Sequence, residues 1–261
     1  MFRWSAAIIF VGLSGLGGLF ALQTKLIYVP DMRPLTDCMP PAATQYLQID
    51  TEQSLVTQAG ADNLVVFFHG NAGSACNWRY LGANHLAHLG YDTLVVEYPG
   101  FGGDERNTSK AEIMKMLPTV KSWVDAQAYE TVTIFGYSLG GGVGSLYAQA
   151  YGADQIVLFA PFDSLYALVY DQGIKVPRNL LTEDYDNIDA LQSVDAPIHI
   201  LHGTADTIVP AYHSETLASA LTDAGRQVTR DTLPNSGHGD LFDSPEFDNM
   251  LQRVLLFIEE K

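Results

Sequence analysis

Between Thr131 and Gly152 the chain reads TVTIFGYSLGGGVGSLYAQAYG: a β-branched and apolar run, one serine set between glycines, then an alanine-rich tail of helical character. Glycine inside a strand or helix costs about 0.5–1 kcal/mol relative to alanine. Clearing side chains from both sides of Ser138 must therefore serve the turn itself. A strand that passes into a helix through Gly136-x-Ser138-x-Gly140 has the pattern of a nucleophile elbow, with the serine on a sharp, strained turn and its hydroxyl exposed above a sheet. Three fixed positions are weak evidence alone, and the strand-then-helix context carries the reading.

The rest of the chain supplies a sheet for that turn. Near-continuous apolar runs fall at residues 64–68, 93–96, 132–135, 156–159 and 198–201, most of them separated by longer segments with helical character. Runs apolar on both faces suit strands covered by helices on both sides, the mostly parallel α/β arrangement. Two shorter segments, YLQIDT from Tyr46 and SLVTQAG from Ser54, read as an antiparallel pair ahead of it. With 261 residues, 47% hydrophobic and 17% charged, the chain can bury one sizeable core.

Ahead of this domain, expected at residues 43–261, lie two other segments. Residues 1–25 include an uncharged apolar run, SAAIIFVGLSGLGGLFAL, about long enough to span a bilayer. A secretory signal is one reading, but no A-x-A cleavage site follows. The reading taken is a single-pass membrane anchor with the domain outside the cytoplasm. Residues 26–42, with Pro40 and Pro41, read as an extended connector, because proline fixes φ and pushes the preceding residue out of the helical region.

Thirty acidic residues against fourteen basic give a formal charge of −16, which repels phosphate backbones and argues against a nucleic-acid partner. The same charge reads more plainly as a solubilising surface. Cys38 and Cys76 are too few for a disulfide framework and lack metal-ligand spacing. With no clustered His/Cys/Asp set, neither a metal nor another cofactor is implied.

A serine hydroxyl is a weak nucleophile at neutral pH and needs a base, itself held by a third group. Two downstream loops supply them. PIHILHGTADTIVP carries Asp206 after a buried run, and RDTLPNSGHGDLFD carries His238 between glycines. Both fall where a parallel strand ends, the edge at which open α/β sheets gather binding groups. Asp206 would orient His238, and His238 would take the proton of Ser138 and later return it to the leaving group. The plainer role for Asp206 is a turn or cap. Asp240 and Asp243 are rival acids, but they lie beside the base rather than on a separate strand end. Of the other histidines, His85 and His88 read as helix residues, His199 as a strand residue, His213 as a helix opener and His202 as a hydrogen-bonding loop residue.

Acyl transfer also needs donors for a tetrahedral oxyanion, each worth on the order of 3 kcal/mol. Leu139, next after the serine and at a helix start, offers one backbone N–H. The other is sought in LVVFFHGNAGS, a strand followed by a glycine-rich loop. Asn71 is the first choice there and Ala72, otherwise a substrate contact, the second. His69 reads as scaffold.

HGNAG, EYPGFG, GYSLGG, HGTADTIVP and SGHGD, in that order, resemble the α/β-hydrolase superfamily from about Tyr46 onward. With LIYVP after an apolar segment, the likeness is to a membrane-anchored serine-hydrolase branch that includes depalmitoylating thioesterases and lipid-acting esterases. That resemblance implies Ser138, Asp206 and His238 as a triad and Asn71 and Leu139 as an oxyanion hole, with no substrate carried over. The segment of about 162–196 reads as a short cap insertion. Phe162 and Tyr166 in it either line an acyl pocket or pack on the core. The expected activity is ester or thioester hydrolysis on a small or lipid-like acyl substrate. A serine peptidase and a catalytically silent binding module of the same fold are the alternatives.

Overall fold

The structure is a computed structural model that describes residues 23–243 and 247–255. Eight strands form one sheet in the order β1-β2-β4-β3-β5-β6-β7-β8. β1 (Thr44–Ile49) and β2 (Glu52–Thr57) make an antiparallel pair, and β2 meets β4 (Tyr91–Val96) antiparallel. The remainder is parallel: β3 (Asn63–Phe68), β5 (Thr131–Tyr137), β6 (Gln155–Phe159), β7 (Ile198–Gly203) and β8 (Val228–Leu233).

The two-residue period of β3 divides the core into two layers. Leu64, Val66 and Phe68 pack on one face with Met116 and Leu117 of α1 (Lys110–Asp125), Val143 and Tyr147 of α2 (Leu139–Tyr151) and Leu217 of α5 (Tyr212–Asp223). Val65 and Phe67 face the opposite layer, with Leu81 and Leu86 after β3 and Met250 and Leu251 of α6 (Phe247–Leu255). Helices thus cover both faces, which is why the central parallel strands are largely apolar, whereas β8 at the sheet edge is exposed or half-buried over most of its length.

Between β6 and β7 the chain makes a small cap with two short helices, α3 (Leu165–Asp171) and α4 (Asn187–Leu191). Residues 26–42, expected as an extended connector, lie against the domain, with Tyr28, Leu35 and Cys38 buried. The sequence did not pair the two cysteines. In the structure Cys38 and Cys76 form a disulfide that joins this segment to the loop after β3.

The expectation of a membrane-anchored chain is corrected. Among the described residues no helix is long and apolar enough to cross a membrane. Residues 1–22, which hold the apolar run, lie outside the described residues, and residues 23–27 form a helical turn packed on the domain.

Candidate active site

β5 ends at Tyr137 and α2 begins at Leu139, so Ser138 alone makes the turn between them. Its φ of 53° and ψ of −116° are costly for a residue with a side chain, by about 1–3 kcal/mol. Two backbone bonds hold it there: Ser138 N–H donates to the Phe159 carbonyl and Gly141 N–H to the Ser138 carbonyl, both at 2.9 Å. The flanking glycines are needed for room. A β-carbon at Gly136 would come within 2.5 Å of the Gly140 carbonyl oxygen, and one at Gly140 would fall on the carbonyl of Phe68 in the neighbouring strand.

The loops after β7 and β8 bring the partners. His238 Nε2 lies 2.9 Å from Ser138 Oγ, and its Nδ1 lies 2.7 Å from Asp206 Oδ2. A carboxylate only accepts, so Nδ1 carries the proton and Nε2 is left to accept from the serine hydroxyl. Asp206 is itself held by Ile208 N–H and Val209 N–H, which both donate to Oδ1 at 2.9 Å. His202 Nε2 adds a contact of 3.1 Å to Oδ2 and one of 2.8 Å to the Val209 carbonyl. Both of those partners accept, so His202 donates from Nε2. Burial alone would raise the pKa of Asp206. The bonds from His202, His238 and the Val209 amide outweigh it and hold the carboxyl well below the usual carboxylate range. Asp206 therefore stays an acceptor-only anion at any pH where a histidine is neutral.

The loop after β3 lies against the serine: a β-carbon on Gly70 would sit 3.4 Å from Ser138 Cβ. His69, fully buried, bonds Glu97 Oε1 through Nε2 and the Gly70 carbonyl through Nδ1, each at 2.8 Å. Glu97 Oε2 accepts from Ala75 N–H at 3.0 Å, so one carboxylate pins both ends of the loop. Neither Asn71 N–H nor Leu139 N–H donates to any group among the described residues. Two backbone donors are thus left unpaired on loops that flank Ser138, one of them at the start of α2.

Ser138, Leu139 and Asn71 open onto a cleft of about 440 Å³, walled by Leu26, Ile27, Phe162, Leu168, Val169 and Ile208. A smaller apolar compartment of about 100 Å³ adjoins it, sharing Leu26, Ile27, Val169 and Ile174. Phe162 stands in this wall. Tyr166 does not: on the short helix α3 it carries the Arg178 guanidinium 5.5 Å from its ring centroid, while Leu165, Leu168 and Val169 face the cleft. Ala72 also stays out of the wall, occupying a turn with φ of 55°. Asp240 is spent in a local turn, accepting from Gly237 N–H at 2.7 Å. Among the described residues no group of His, Cys, Asp or Glu is placed to hold a metal.

The profile of the alpha/beta hydrolase fold matches residues 63–166. Among solved structures, the esterase Est2 of Thermogutta terrifontis, with propionate bound, superposes with a TM-score of 0.64 at 19% identity, over 84% of this chain and 94% of that one. The acylaminoacyl peptidase of Pyrococcus horikoshii gives a TM-score of 0.62 at 16% identity, over 83% of this chain and 41% of that one. The chain has the α/β-hydrolase fold. An uncharacterized protein of Mycobacterium tuberculosis strain H37Rv is 29% identical over 236 residues, which is 85% of this chain and 82% of that protein.

Within this α/β-hydrolase framework, several contributors to the site went unread in the sequence. Leu26 and Ile27 precede the first strand by many residues, and nothing in their spacing places them beside Ser138. His202 is legible as a bonding residue, but nothing in the sequence marks Asp206 as its partner. Tyr137, whose hydroxyl donates to the His238 carbonyl at 3.2 Å, had a signal of sorts, since an aromatic beside the serine stands at the same strand end.

Proposed function

We propose that the chain is a serine hydrolase that cleaves carboxylic esters or thioesters through an acyl-enzyme on Ser138. The observation that carries this reading is the hydrogen-bonded line from Ser138 Oγ through His238 to Asp206, set beside two unpaired backbone N–H groups. In the first half-reaction His238 Nε2 takes the hydroxyl proton as Oγ attacks the substrate carbonyl carbon. The carbonyl π electrons move onto oxygen, and the oxyanion is met by Asn71 N–H and Leu139 N–H. Collapse of this intermediate breaks the bond to the alkoxide or thiolate, which leaves with the proton from His238. Water, activated by the same nitrogen, then releases the carboxylic acid and restores the serine. Asp206 stabilises the imidazolium in each half without accepting its proton.

The apolar walls favour a hydrocarbon acyl group, and the adjoining compartment supports a linear chain that runs from the serine under residues 26 and 27. The test is labelling of the purified protein with a fluorophosphonate, followed by turnover of esters, thioesters and amides of graded acyl length. Labelling by the wild type that Ser138→Ala and His238→Ala both abolish, with ester or thioester turnover above amide turnover, is the expected result. A folded wild type that neither labels nor turns over any of them overturns the proposal.

A further inference from the structure

Residues 23–31 connect two parts of the cleft that are far apart in sequence. At one end, Gln23 is buried and reaches the cap: its Nε2 donates to the Leu180 carbonyl at 2.7 Å, and its Oε1 accepts from Thr182 N–H at 2.9 Å. Tyr28 adds hydroxyl bonds of 2.9 Å to Glu183 and to Tyr185. At the other end, the segment meets the loop after β3. Asn71 Oδ1 accepts from Val29 N–H at 2.8 Å, and Asn71 Nδ2 donates to the Ile27 carbonyl at 2.5 Å. Asp31 N–H donates to the Gly73 carbonyl at 3.2 Å. Between these ends Leu26 and Ile27 face the cleft.

The Asn71 amide thus makes the pair of bonds that a neighbouring strand would make, using both of its ends. The two backbone partners also fix its orientation, since Val29 N–H needs an acceptor and the Ile27 carbonyl a donor. The same residue carries, on its backbone, an N–H that donates to no group among the described residues, and it lines the cleft together with Ser138. A donor aimed at a developing oxyanion works only if held within about 0.5 Å and 10–20° of its productive position. The loop it sits on is pinned through Glu97 at His69 and Ala75, and between those points it turns through Ala72 at φ 55°.

We propose that the Asn71 side chain is a positioning device: by clamping residues 27–29 it fixes the aim of the Asn71 backbone N–H, so the segment at 23–31 is a working part of the oxyanion hole. This rests on the serine-hydrolase reading above. The segment couples the cap to the same donor through Gln23, and a cap displaced by an ill-fitting acyl group loosens the N–H that should stabilise its transition state.

The experiment compares wild type, Asn71→Ala, Asn71→Asp and Gln23→Ala in the full chain. It measures kcat and KM on p-nitrophenyl butyrate, thermal midpoint, and affinity for phenylboronic acid, whose tetrahedral adduct on serine stands in for the intermediate. Asn71→Ala keeps the backbone N–H and is expected to lower kcat about 10- to 100-fold, a fraction of the 10²–10³ for a lost donor. KM is expected to stay within threefold and boronate affinity to fall in step with kcat. Asn71→Asp keeps the acceptor for Val29 N–H and is expected to recover part of the loss. Gln23→Ala is expected to shift kcat in the same direction by less. A lowered midpoint with kcat and boronate affinity unchanged overturns the proposal, as does a rise in KM alone. If Asn71→Ala does not fold, Asn71→Asp and Gln23→Ala decide by the same split. A wild type that fails to label with fluorophosphonate removes the hydrolase reading and this inference with it, whereas labelling with no kcat effect removes this inference alone.

Discussion

The floor of the site and its wall are built in different ways. On the floor, Ser138, Asp206 and His238 each stand just past the end of a parallel strand, and the backbone of the sheet sets their separations. The wall comes from residues 23–31 and the cap, joined by side-chain bonds such as Gln23 to Thr182 and Tyr28 to Glu183, more than 150 residues apart in sequence. The floor is held by ladders and close packing, the wall by a few polar contacts around an apolar space. On the serine-hydrolase reading, nucleophile, base and acid stand on the part held by the sheet, while the part that a few substitutions can reshape bounds the acyl space and steadies one oxyanion donor.

That difference is open to test, starting with the floor. Asp206→Asn keeps the shape but lets His238 take the wrong tautomer, and kcat is expected to fall by about 10⁴ with KM little changed. The same carboxyl gives a pH signature. Its pKa is lowered in the fold, so its contribution to stability is complete above the unfolded value of about 3.9 and drains as pH falls through the folded value. Urea midpoints measured from pH 7 to pH 3 should drop more steeply in wild type than in Asp206→Asn at the acid end. Equal slopes would mean that Asp206 is not held as an anion.

Next in size is Gly140→Ala, whose β-carbon would meet the backbone of β3. A loss of several kcal/mol, or no folded protein, is expected by denaturant titration. A well-folded Gly140→Ala would show the floor to be softer than described.

The wall should respond less. The disulfide closes a separation of 38 residues, worth about 4 kcal/mol in the chain-entropy account. Cys38→Ser is expected to lower the thermal midpoint by less than the loss at Gly140 while sparing fluorophosphonate labelling. Smallest in energy is Val169→Trp, which adds bulk at a wall residue that the two compartments share. Turnover of short esters should stay within about threefold while that of long-chain esters falls about tenfold, a discrimination of the size expected from a hydrophobic pocket. Equal losses at every chain length would mean that the second compartment is not used.

The contrast also explains what the sequence made legible. Ser138, Asp206 and His238 could be read because each is tied to a local pattern: glycines around a turn, or a charged residue just past a buried strand. The sheet could be read from β3 to β7 because doubly buried strands leave unbroken apolar runs. Long-range pairings leave no such trace. Nothing near Asn71 announces that its side chain faces Ile27 and Val29, and two cysteines 38 residues apart carry no sign of partnership. That Tyr166 stands outside the cleft wall is illegible for a local reason: on a seven-residue helix the facing side cannot be told from composition.

The conformation of Ser138 sets function against durability. At φ 53° the position would suit glycine, which adopts such angles without strain. Ser138→Gly should therefore raise the denaturation midpoint by the equivalent of about 1 kcal/mol while abolishing turnover. On the serine-hydrolase reading, a lineage released from selection for activity would gain stability at once by losing this hydroxyl.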